Sequence, residues 1–334
     1  MQFLIVVSIH YLSKRAMRKI ELKELRQNID FDIDYFFCCA SFEERCFSIA
    51  QYLDVTRIKN SIVCYNEDQV NSFKGHELKL QEILKASQNL ITIRLNSDKP
   101  LSTAEALLKE LTAIEKIETK RIVVDITTFT HEALLILFRL LSSKKIPSSN
   151  ITFLYNNASD YAVNEIENSE KWLTVGVKEI RSVIGYSGFM SPLKKNLLIV
   201  LVGFEPERTK KLIDNYEPHA ISLGVGNDYC ADISSAIETN KQKHRELVQQ
   251  YPNTFTFEFS VLEPSEAAEA LKKEIKKFPN YNIIIAPMNN KISTIGAALL
   301  ALDNTELQLC YVPARYYNTD GYSTPGSKCY IFEI

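Results

Sequence analysis

The sequence predicts an α/β protein built from two tandem Rossmann-like domains, each with a doubly wound parallel sheet, related by internal duplication. Two observations carry this prediction: one pattern occurs twice in the same order, and in each copy apolar runs alternate with helical patterns. Residues 35–53 are echoed by residues 197–216, with an apolar run, Phe-Glu, Glu-Arg and a helical pattern in both. The later echoes are 64–68 with 224–228, 121–141 with 282–302, 151–161 with 307–317, and Gly-Tyr-Ser at 185–187 with 321–323.

Each copy is predicted to contain five strands, because its β-rich apolar runs are short and apolar on both faces. These runs are residues 35–40, 61–65, 90–95, 121–126 and 151–155, and then 196–203, 219–224, 254–261, 281–286 and 307–312. Apolar residues recur at three- and four-residue spacing between the strands, which predicts helices. The predicted helices are residues 43–53, 76–87, 103–117 and 131–143, and then 205–214, 230–250, 264–277 and 291–302. Right-handed crossovers would place them on both sides of each sheet.

The domain boundary is predicted near residue 190, in a stretch rich in glycine, serine and proline. This gives an N-terminal extension at 1–30, a first domain at 31–190 and a second at 191–334. The opening apolar run is too short to span a bilayer. It is interpreted either as an extra strand or as sequence before a true start at Met17. The repeated Gly-Tyr-Ser segments are interpreted as ends of the two units and as candidate pocket lids.

Composition predicts a cytoplasmic protein without a membrane segment. Hydrophobic residues make up 46% and charged residues 24% of the 334 residues, as in ordinary globular proteins. The net charge of −2 gives no bulk attraction to nucleic acid. The seven cysteines form no CxxC pair, which favours a reducing compartment over a disulfide framework. The histidine spacing fits no metal site, and no cofactor is predicted.

Ligands of open parallel sheets bind beyond the carboxyl ends of the strands, so residues that follow strands are the candidates. After the first strand of each copy we expect Ser41 and Arg45, and Gly203 and Arg208, at the ligand. Neither a GxGxxG turn nor a P-loop is present, which argues against the usual hydride-transfer and ATPase sites. An arginine in the first helical turn can bind a phosphate or carboxylate. The alternative is that each arginine pairs with a neighbouring glutamate.

Residues after the second and fifth strands are further candidates. Asp68 and Asp228 follow the second strand, where an acid commonly binds ribose hydroxyls, although Asp is also an ordinary loop residue. Arg315 follows the fifth strand of the second copy and is a candidate phosphate ligand. Tyrosines near the same strand can stack on a base, although packing is their commoner role.

The fourth strand has the sharpest local pattern. It ends in Asp125 and is followed by hydroxyl residues at a helix start, where backbone N–H groups can bind an anion. The second copy has a lysine at this place, which opposes the helix dipole unless an anion is near. The candidates are Asp125, Thr127, Thr128, Thr130, Asn289, Asn290 and Lys291. The alternative is that the threonines and asparagines only cap a buried helix.

The segment VVDITTFTHEALL, residues 123–135, resembles the strand-to-helix motif of the CRISPR-associated Rossmann-fold (CARF) ligand-sensing domains. The resemblance implies that Asp125, the three threonines and the Asn289 to Lys291 segment face a ligand phosphate. Ser41 and Gly203 match the small or hydroxyl residue after the family's first strand. The resemblance also implies a repetitive ligand such as a cyclic oligoadenylate.

Three functions are compatible with these observations. The first is a sensor of a prokaryotic defence or regulatory system that binds a nucleotide or cyclic oligonucleotide in a composite cleft between the halves. It would act with a separate effector subunit or as a homodimer. The second is a hydrolase or transferase on a nucleotide or N-glycosidic substrate, with Asp125 or Glu44 as acid, base or nucleophile. The third is a ligand-free interaction scaffold.

Overall fold

The computed structural model describes residues 17–67, 75–161, 173–227, 241–242, 244–245, 247–319 and 322–334. Most of its strands belong to two large sheets. The described strands are β1 (Arg18–Glu21), β2 (Ile33–Ala40), β3 (Ile58–Asn66), β4 (Asn89–Leu95), β5 (Ile122–Asp125), β6 (Ile151–Tyr161), β7 (Thr174–Val177), β8 (Arg181–Ser187), β9 (Lys195–Leu201), β10 (Ala220–Gly226), β11 (Thr254–Phe259), β12 (Tyr281–Pro287), β13 (Gln308–Tyr311), β14 (Ala314–Tyr317) and β15 (Ser323–Phe332). The described α-helices are α1 (Leu25–Asn28), α2 (Ser48–Tyr52), α3 (His76–Leu84), α4 (Pro100–Ala113), α5 (His131–Ser143), α6 (Pro206–Tyr216), α7 (Pro264–Ile275) and α8 (Lys291–Asp303).

Both large sheets have the strand order of a doubly wound fold. The seven-stranded sheet 1 has the order β1-β15-β6-β5-β2-β3-β4, and the six-stranded sheet 2 has the order β11-β10-β9-β12-β13-β8. Within each copy, the first strand lies between the second and the fourth and is parallel to both. Strand order therefore reverses between β2 and β5 in sheet 1 and between β9 and β12 in sheet 2. The predicted fold class is confirmed.

The last strand of each half is exchanged between the sheets. β8 follows the first half along the chain but pairs antiparallel with β13 in sheet 2. β15 follows the second half but pairs antiparallel with β6 in sheet 1. We call this arrangement the strand exchange. The predicted boundary at residue 190 falls between β8 and β9, and each sheet nevertheless contains a strand from the other half.

The strand exchange also changes the interpretation of the Gly-Tyr-Ser segments. Residues 185–187 lie inside β8 and do not line the cleft between the two sheets, whereas Tyr322 lines that cleft and Ser323 begins β15. Gly321 lies outside the described residues, as do residues 1–16 of the N-terminal extension. The remainder of that extension supplies β1, which pairs with β15 at the edge of sheet 1.

One apolar core joins the two sheets. Neighbouring β2 residues illustrate how a parallel strand is buried on both faces: Phe36 packs in the outer core of sheet 1, and Phe37 packs in the core between the sheets. Helices α4, α5, α7 and α8 contribute to this central core, and α5 packs against α8. Helices α1–α3 cover the outer face of sheet 1, and α6 covers that of sheet 2.

Among the helices of the described residues, none combines the length and the apolar character needed to cross a bilayer.

Candidate ligand-binding cleft between the two sheets

A cleft lies where the carboxyl ends of both sheets meet, at the two points of strand-order reversal. We call it the central cleft. It encloses about 1070 Å³ of space not occupied by atoms, its opening to solvent included. Its charged and polar lining residues are Glu43, Arg45, Thr127, His131, Asn157, Glu205, Arg208, Asn289, Asn290 and Lys291. Its aromatic lining residues are Tyr155, Tyr161, Phe204, Tyr322 and Tyr330.

Arg45 is buried in the wall of the cleft, and each of its guanidinium nitrogens forms a hydrogen bond within the protein. It lies in a short 3-10 helix after β2, and its side chain is only 4% exposed. Nε and Nη2 donate to Glu43 Oε2 at 3.0 and 2.5 Å. Nε also donates to Ser323 Oγ at 3.0 Å, and Nη1 donates to the Asn156 backbone oxygen at 3.1 Å. The sequence alternative of pairing with a neighbouring glutamate is therefore realised, and every guanidinium nitrogen has at least one partner within the protein.

Arg208 occupies the equivalent place in the second copy, and only two of its guanidinium nitrogens form hydrogen bonds with described residues. Nη1 donates to Glu205 Oε2 at 3.1 Å, and Nη2 donates to the Val312 backbone oxygen. Nε is buried and has no hydrogen-bond partner among the described residues. The same holds for Glu205 Oε1. Both residues line the cleft, so its wall contains one buried donor and one buried acceptor without a partner among the described residues.

Lys291 is the first residue of α8 and lines the cleft without an ionic partner. Among the described residues, none forms a hydrogen bond or an ion pair with its ammonium group. Burial lowers the pKa of Lys291 to about 8. Arg45 and Arg208 act in the same direction, and Glu43 opposes them. A half-buried ammonium at a helix N-terminus is costly, and a bound anion would offset this cost.

His131 is the first residue of α5 and lines the cleft from the first copy. Its Nδ1 lies 2.6 Å from Thr294 Oγ1 on α8. Burial lowers the pKa of His131 well below its usual value, with Lys291 and Arg208 adding to the effect. The imidazole is therefore neutral at pH 7.

Asp125 does not line the cleft. It is 1% exposed, and Oδ1 accepts a hydrogen bond from the Thr127 backbone N–H at 3.0 Å. Burial raises the pKa of Asp125 to about 7, against the lowering effects of Thr127 and Arg45. Thr127 lies between this carboxyl group and the ligand space, and its Oγ1 accepts from the Asn156 N–H. The predicted acid or base is therefore buried behind the residues that line the cleft.

Several other predicted residues have structural partners. Thr128 donates to the Cys39 carbonyl at 2.6 Å, and Ser41 Oγ accepts from the Glu43 N–H at 3.4 Å. Thr130 is the N-cap of α5 and accepts from the Ala133 N–H. None of these three lines the cleft.

In the second copy, Asn289, Asn290 and Gly203 all line the cleft. Asn290 is the N-cap of α8, and Asn289 donates to the Val202 carbonyl at 2.6 Å. A Cβ atom on Gly203 would lie 2.3 Å from the Met288 carbonyl oxygen, so this glycine permits a close backbone approach.

The remaining predictions lie elsewhere. Glu44 is exposed and absent from the lining, and Arg315 is exposed on β14. β14 pairs with β7 in a separate two-stranded sheet. Asp68 and Asp228 lie outside the described residues.

Sequence reasoning missed the reciprocal aromatic contacts around the cleft. Tyr161 of the first copy packs against Phe204 of the second, with ring centroids 5.3 Å apart. Tyr317 of the second copy packs against Phe42 of the first at 5.7 Å. The repeated Phe-Glu segments and the repeated tyrosines were visible in the sequence and could have indicated these contacts. In the structure, each phenylalanine contacts the tyrosine of the other copy. Tyr322, from the repeated Gly-Tyr-Ser segment that the sequence named as a candidate lid, lines the cleft, whereas Asn157, also a cleft residue, had no recognisable signal.

Comparisons with known proteins give little further information. No family model matches the chain. No curated protein matches it. One similar solved structure is the cytoplasmic domain of a prokaryotic cation chloride cotransporter, with 10% identity, coverage of 86% of this chain and 99% of that chain, and a TM-score of 0.25. Another is UDP-GlcNAc 2-epimerase from Neisseria meningitidis bound to UDP-GlcNAc, with 10% identity, coverage of 76% and 77%, and a TM-score of 0.24. TM-scores this low support no inference about the ligand.

Proposed function

We propose that the chain is a binding protein for an anionic ligand of the nucleotide class, held in the central cleft between the two Rossmann-like halves. The observation that carries the proposal is that Lys291 lines the cleft without a hydrogen bond or ion pair to a described residue, beside two buried atoms that also lack partners there, Arg208 Nε and Glu205 Oε1. Buried polar groups in folded proteins nearly always have partners. A ligand with an anionic group and further hydrogen-bonding groups would supply them.

The cleft's aromatic rings suit the other part of such a ligand. Tyr161, Phe204 and Tyr322 line the cleft beside the charged groups. Aromatic side chains provide stacking surfaces for nucleobases, worth about 1–3 kcal/mol per base. The resemblance to CARF domains favours the same ligand class. By the same proposal, the protein is a cytoplasmic sensor in a defence or regulatory system that passes ligand binding to an effector.

The two alternatives have weaker support. A hydrolase or transferase using Asp125 would need that carboxyl group at the substrate, and it is buried behind Thr127. Glu44, the other candidate, is exposed outside the cleft. A ligand-free scaffold accounts for the paired Arg45 but not for the unpaired Lys291.

The proposal is tested by incubating the full chain with mononucleotides, dinucleotides and cyclic oligonucleotides. Thermal shift and chromatographic product analysis are followed together. We expect at least one of these nucleotides to raise the melting temperature of the protein without being consumed, because a ligand that binds only the folded state stabilises that state.

Lys291→Gln should abolish the shift, and Lys195→Gln is the matched control. Lys195 is exposed at the amino end of β9, opposite the cleft. The proposal would be refuted if no ligand of the panel shifted the melting temperature or gave a product. Turnover that is lost in Asp125→Asn but kept in Lys291→Gln would replace it with the enzyme alternative.

A further inference from the structure

The two copies present different groups at equivalent places in the cleft. Lys291 and His131 are each the first residue of the helix that follows the fourth strand of their copy. Both line the central cleft. One is a cation without an ionic partner among the described residues, and the other is a neutral imidazole. The duplication therefore preserved the position but not the charge.

The hydrogen bonds of His131 fix which atom it offers to a ligand. Thr294 Oγ1 donates its hydrogen to the Asn290 backbone oxygen at 2.9 Å. A hydroxyl group has one hydrogen, so the arrangement that satisfies both contacts has Thr294 donating to Asn290 and accepting from His131 Nδ1–H. In a neutral imidazole the other ring nitrogen, Nε2, is then an acceptor. No described residue donates to it.

The arginine pair shows the same asymmetry. Every guanidinium nitrogen of Arg45 is bonded within the protein, to Glu43, Ser323 and Asn156. Arg208 retains a free Nε. The cationic groups that remain available, Lys291 and Arg208, both belong to the second copy. On the side of the first copy, His131 offers a hydrogen-bond acceptor.

We infer that the cleft binds an asymmetric ligand with one anionic group, of the nucleoside monophosphate class, and not a cyclic oligonucleotide with equivalent phosphates on both sides. The phosphate lies against Lys291 and Arg208, and a hydroxyl or amino donor of the nucleoside faces His131 Nε2. This inference rests on the proposed function and narrows the class of ligand from nucleotides in general to nucleoside monophosphates.

Calorimetric titration of the full chain tests it, with four probes: the 5′-monophosphates of the common nucleosides, the free nucleosides, inorganic phosphate, and cyclic di-AMP or cyclic di-GMP. We expect one monophosphate to bind with a stoichiometry of one per chain and at least tenfold more tightly than either cyclic dinucleotide. Lys291→Gln should weaken this monophosphate and inorganic phosphate alike, by tenfold or more. His131→Phe should weaken the monophosphate by tenfold and leave inorganic phosphate unchanged, and His131→Gln should recover much of the loss. Lys195→Gln is the control, and circular dichroism checks that each variant is folded.

Tighter binding of a cyclic dinucleotide than of every monophosphate would overturn the inference and leave the proposed function standing. Equal effects of His131→Phe on monophosphate and inorganic phosphate would also overturn it. Absence of binding by all four probes would refute the inference, and the proposed function would be refuted as well only if no ligand of the wider nucleotide panel raised the melting temperature.

Discussion

Arg45 and Arg208 show how one repeated residue serves two purposes. Each arginine pairs with the glutamate of its own Phe-Glu segment and donates to a backbone oxygen of the fifth-strand segment, which is Asn156 within β6 for Arg45 and Val312 directly after β13 for Arg208. Ser323, brought by the strand exchange, adds a partner to Arg45 alone. The recurrence of Arg in the sequence therefore reflects a shared structural contact, and of the two arginines only Arg208 has a guanidinium nitrogen without a partner among the described residues.

This difference predicts unequal losses of stability. Arg45→Met should lower the free energy of unfolding by about 3–5 kcal/mol, because it leaves the carboxylate of Glu43 buried without its partner. Arg208→Met should cost less, since Glu205 is more exposed and fewer bonds are lost. Urea denaturation of both variants measures the two losses. A larger loss for Arg208→Met would contradict this account of the pair.

Lys291 should reduce the stability of the ligand-free protein at neutral pH. Its pKa of about 8 lies below the ordinary 10.5, so the folded state disfavours the ammonium form. Between pH 8 and 10.5 the unfolded chain binds more protons, and wild-type stability rises with pH in this window. One pKa unit corresponds to about 1.4 kcal/mol. Lys291→Met should therefore stabilise the protein at pH 7 by on the order of 1 to 3 kcal/mol.

Urea unfolding at pH 7 and at pH 9.5 checks this prediction, with Lys195→Met as the control. The stabilisation by Lys291→Met should shrink at the higher pH, and the same variant should bind ligand more weakly. A destabilised variant at pH 7 would show that the ammonium group has a partner that offsets its burial.

At the scale of elements, β8 is held by both halves of the chain. It pairs with β13 in sheet 2, while its first residue, Arg181, binds Glu132 of α5 with Nε at 2.8 Å and Nη2 at 2.5 Å. Tyr186 in β8 also donates to the Leu135 carbonyl of α5 at 3.2 Å. The strand is thus fixed to the helix of its own half and to the sheet of the other.

A double-mutant cycle on Arg181 and Glu132 measures how strongly β8 is anchored. Arg181→Met alone should cost about 3–5 kcal/mol, because Glu132 is 4% exposed and would be left as a buried, unpaired charge. The double variant Arg181→Met/Glu132→Leu should recover much of that loss. Additive losses in the cycle would mean that the two side chains do not act as a pair.

The sequence predicted the ten strands of the parallel sheets because the central strands are apolar on both faces, as Phe36 and Phe37 illustrate, and the edge strands β4 and β11 are short runs rich in β-branched and aromatic residues. It also located α5 and α8 to within a residue at each end, because capping residues precede them. It did not predict β8 or β15 as strands. Their partners lie more than a hundred residues away or in the other half, and nothing in a local pattern specifies such pairing.

At the scale of the whole molecule, the strand exchange makes the two halves interdependent. Sheet 1 takes Tyr330, Ile331 and Phe332 from the end of the chain into its cores. Sheet 2 takes β8 from the first half. The two sheets also share the central core through α5 and α8.

We therefore expect residues 1–190 and 191–334, expressed separately, to show no cooperative unfolding by circular dichroism. Mixing them should restore a cooperative transition. As a control, a protease cleavage site is inserted near the exposed Leu193, and the full chain is cut there after it has folded. The two fragments should remain associated on size exclusion. Independent cooperative folding of both halves would contradict the proposed interdependence.

The location of the site followed from topology more than from motifs. The rule that ligands bind where strand order reverses selected Arg208, Asn289, Asn290 and Lys291, which line the cleft. The same rule selected Asp125, Ser41 and Thr128, which lie too deep. Depth depends on which side chain faces the ligand space and which faces the neighbouring strand, and a sequence pattern does not specify this.

The central claim is that the strand ends of both sheets converge on a cleft that binds an anion at Lys291. The most direct measurement is the anomalous scattering of tungstate, a phosphate-shaped dianion, soaked into crystals of the full chain. The account predicts a tungsten peak in the central cleft about 4 Å from Lys291 Nζ, the distance at which a tungstate oxygen accepts a hydrogen bond from the ammonium group, and Lys291→Gln removes this peak. A cleft without tungstate at saturating concentration, or a peak that persists in Lys291→Gln, would contradict it.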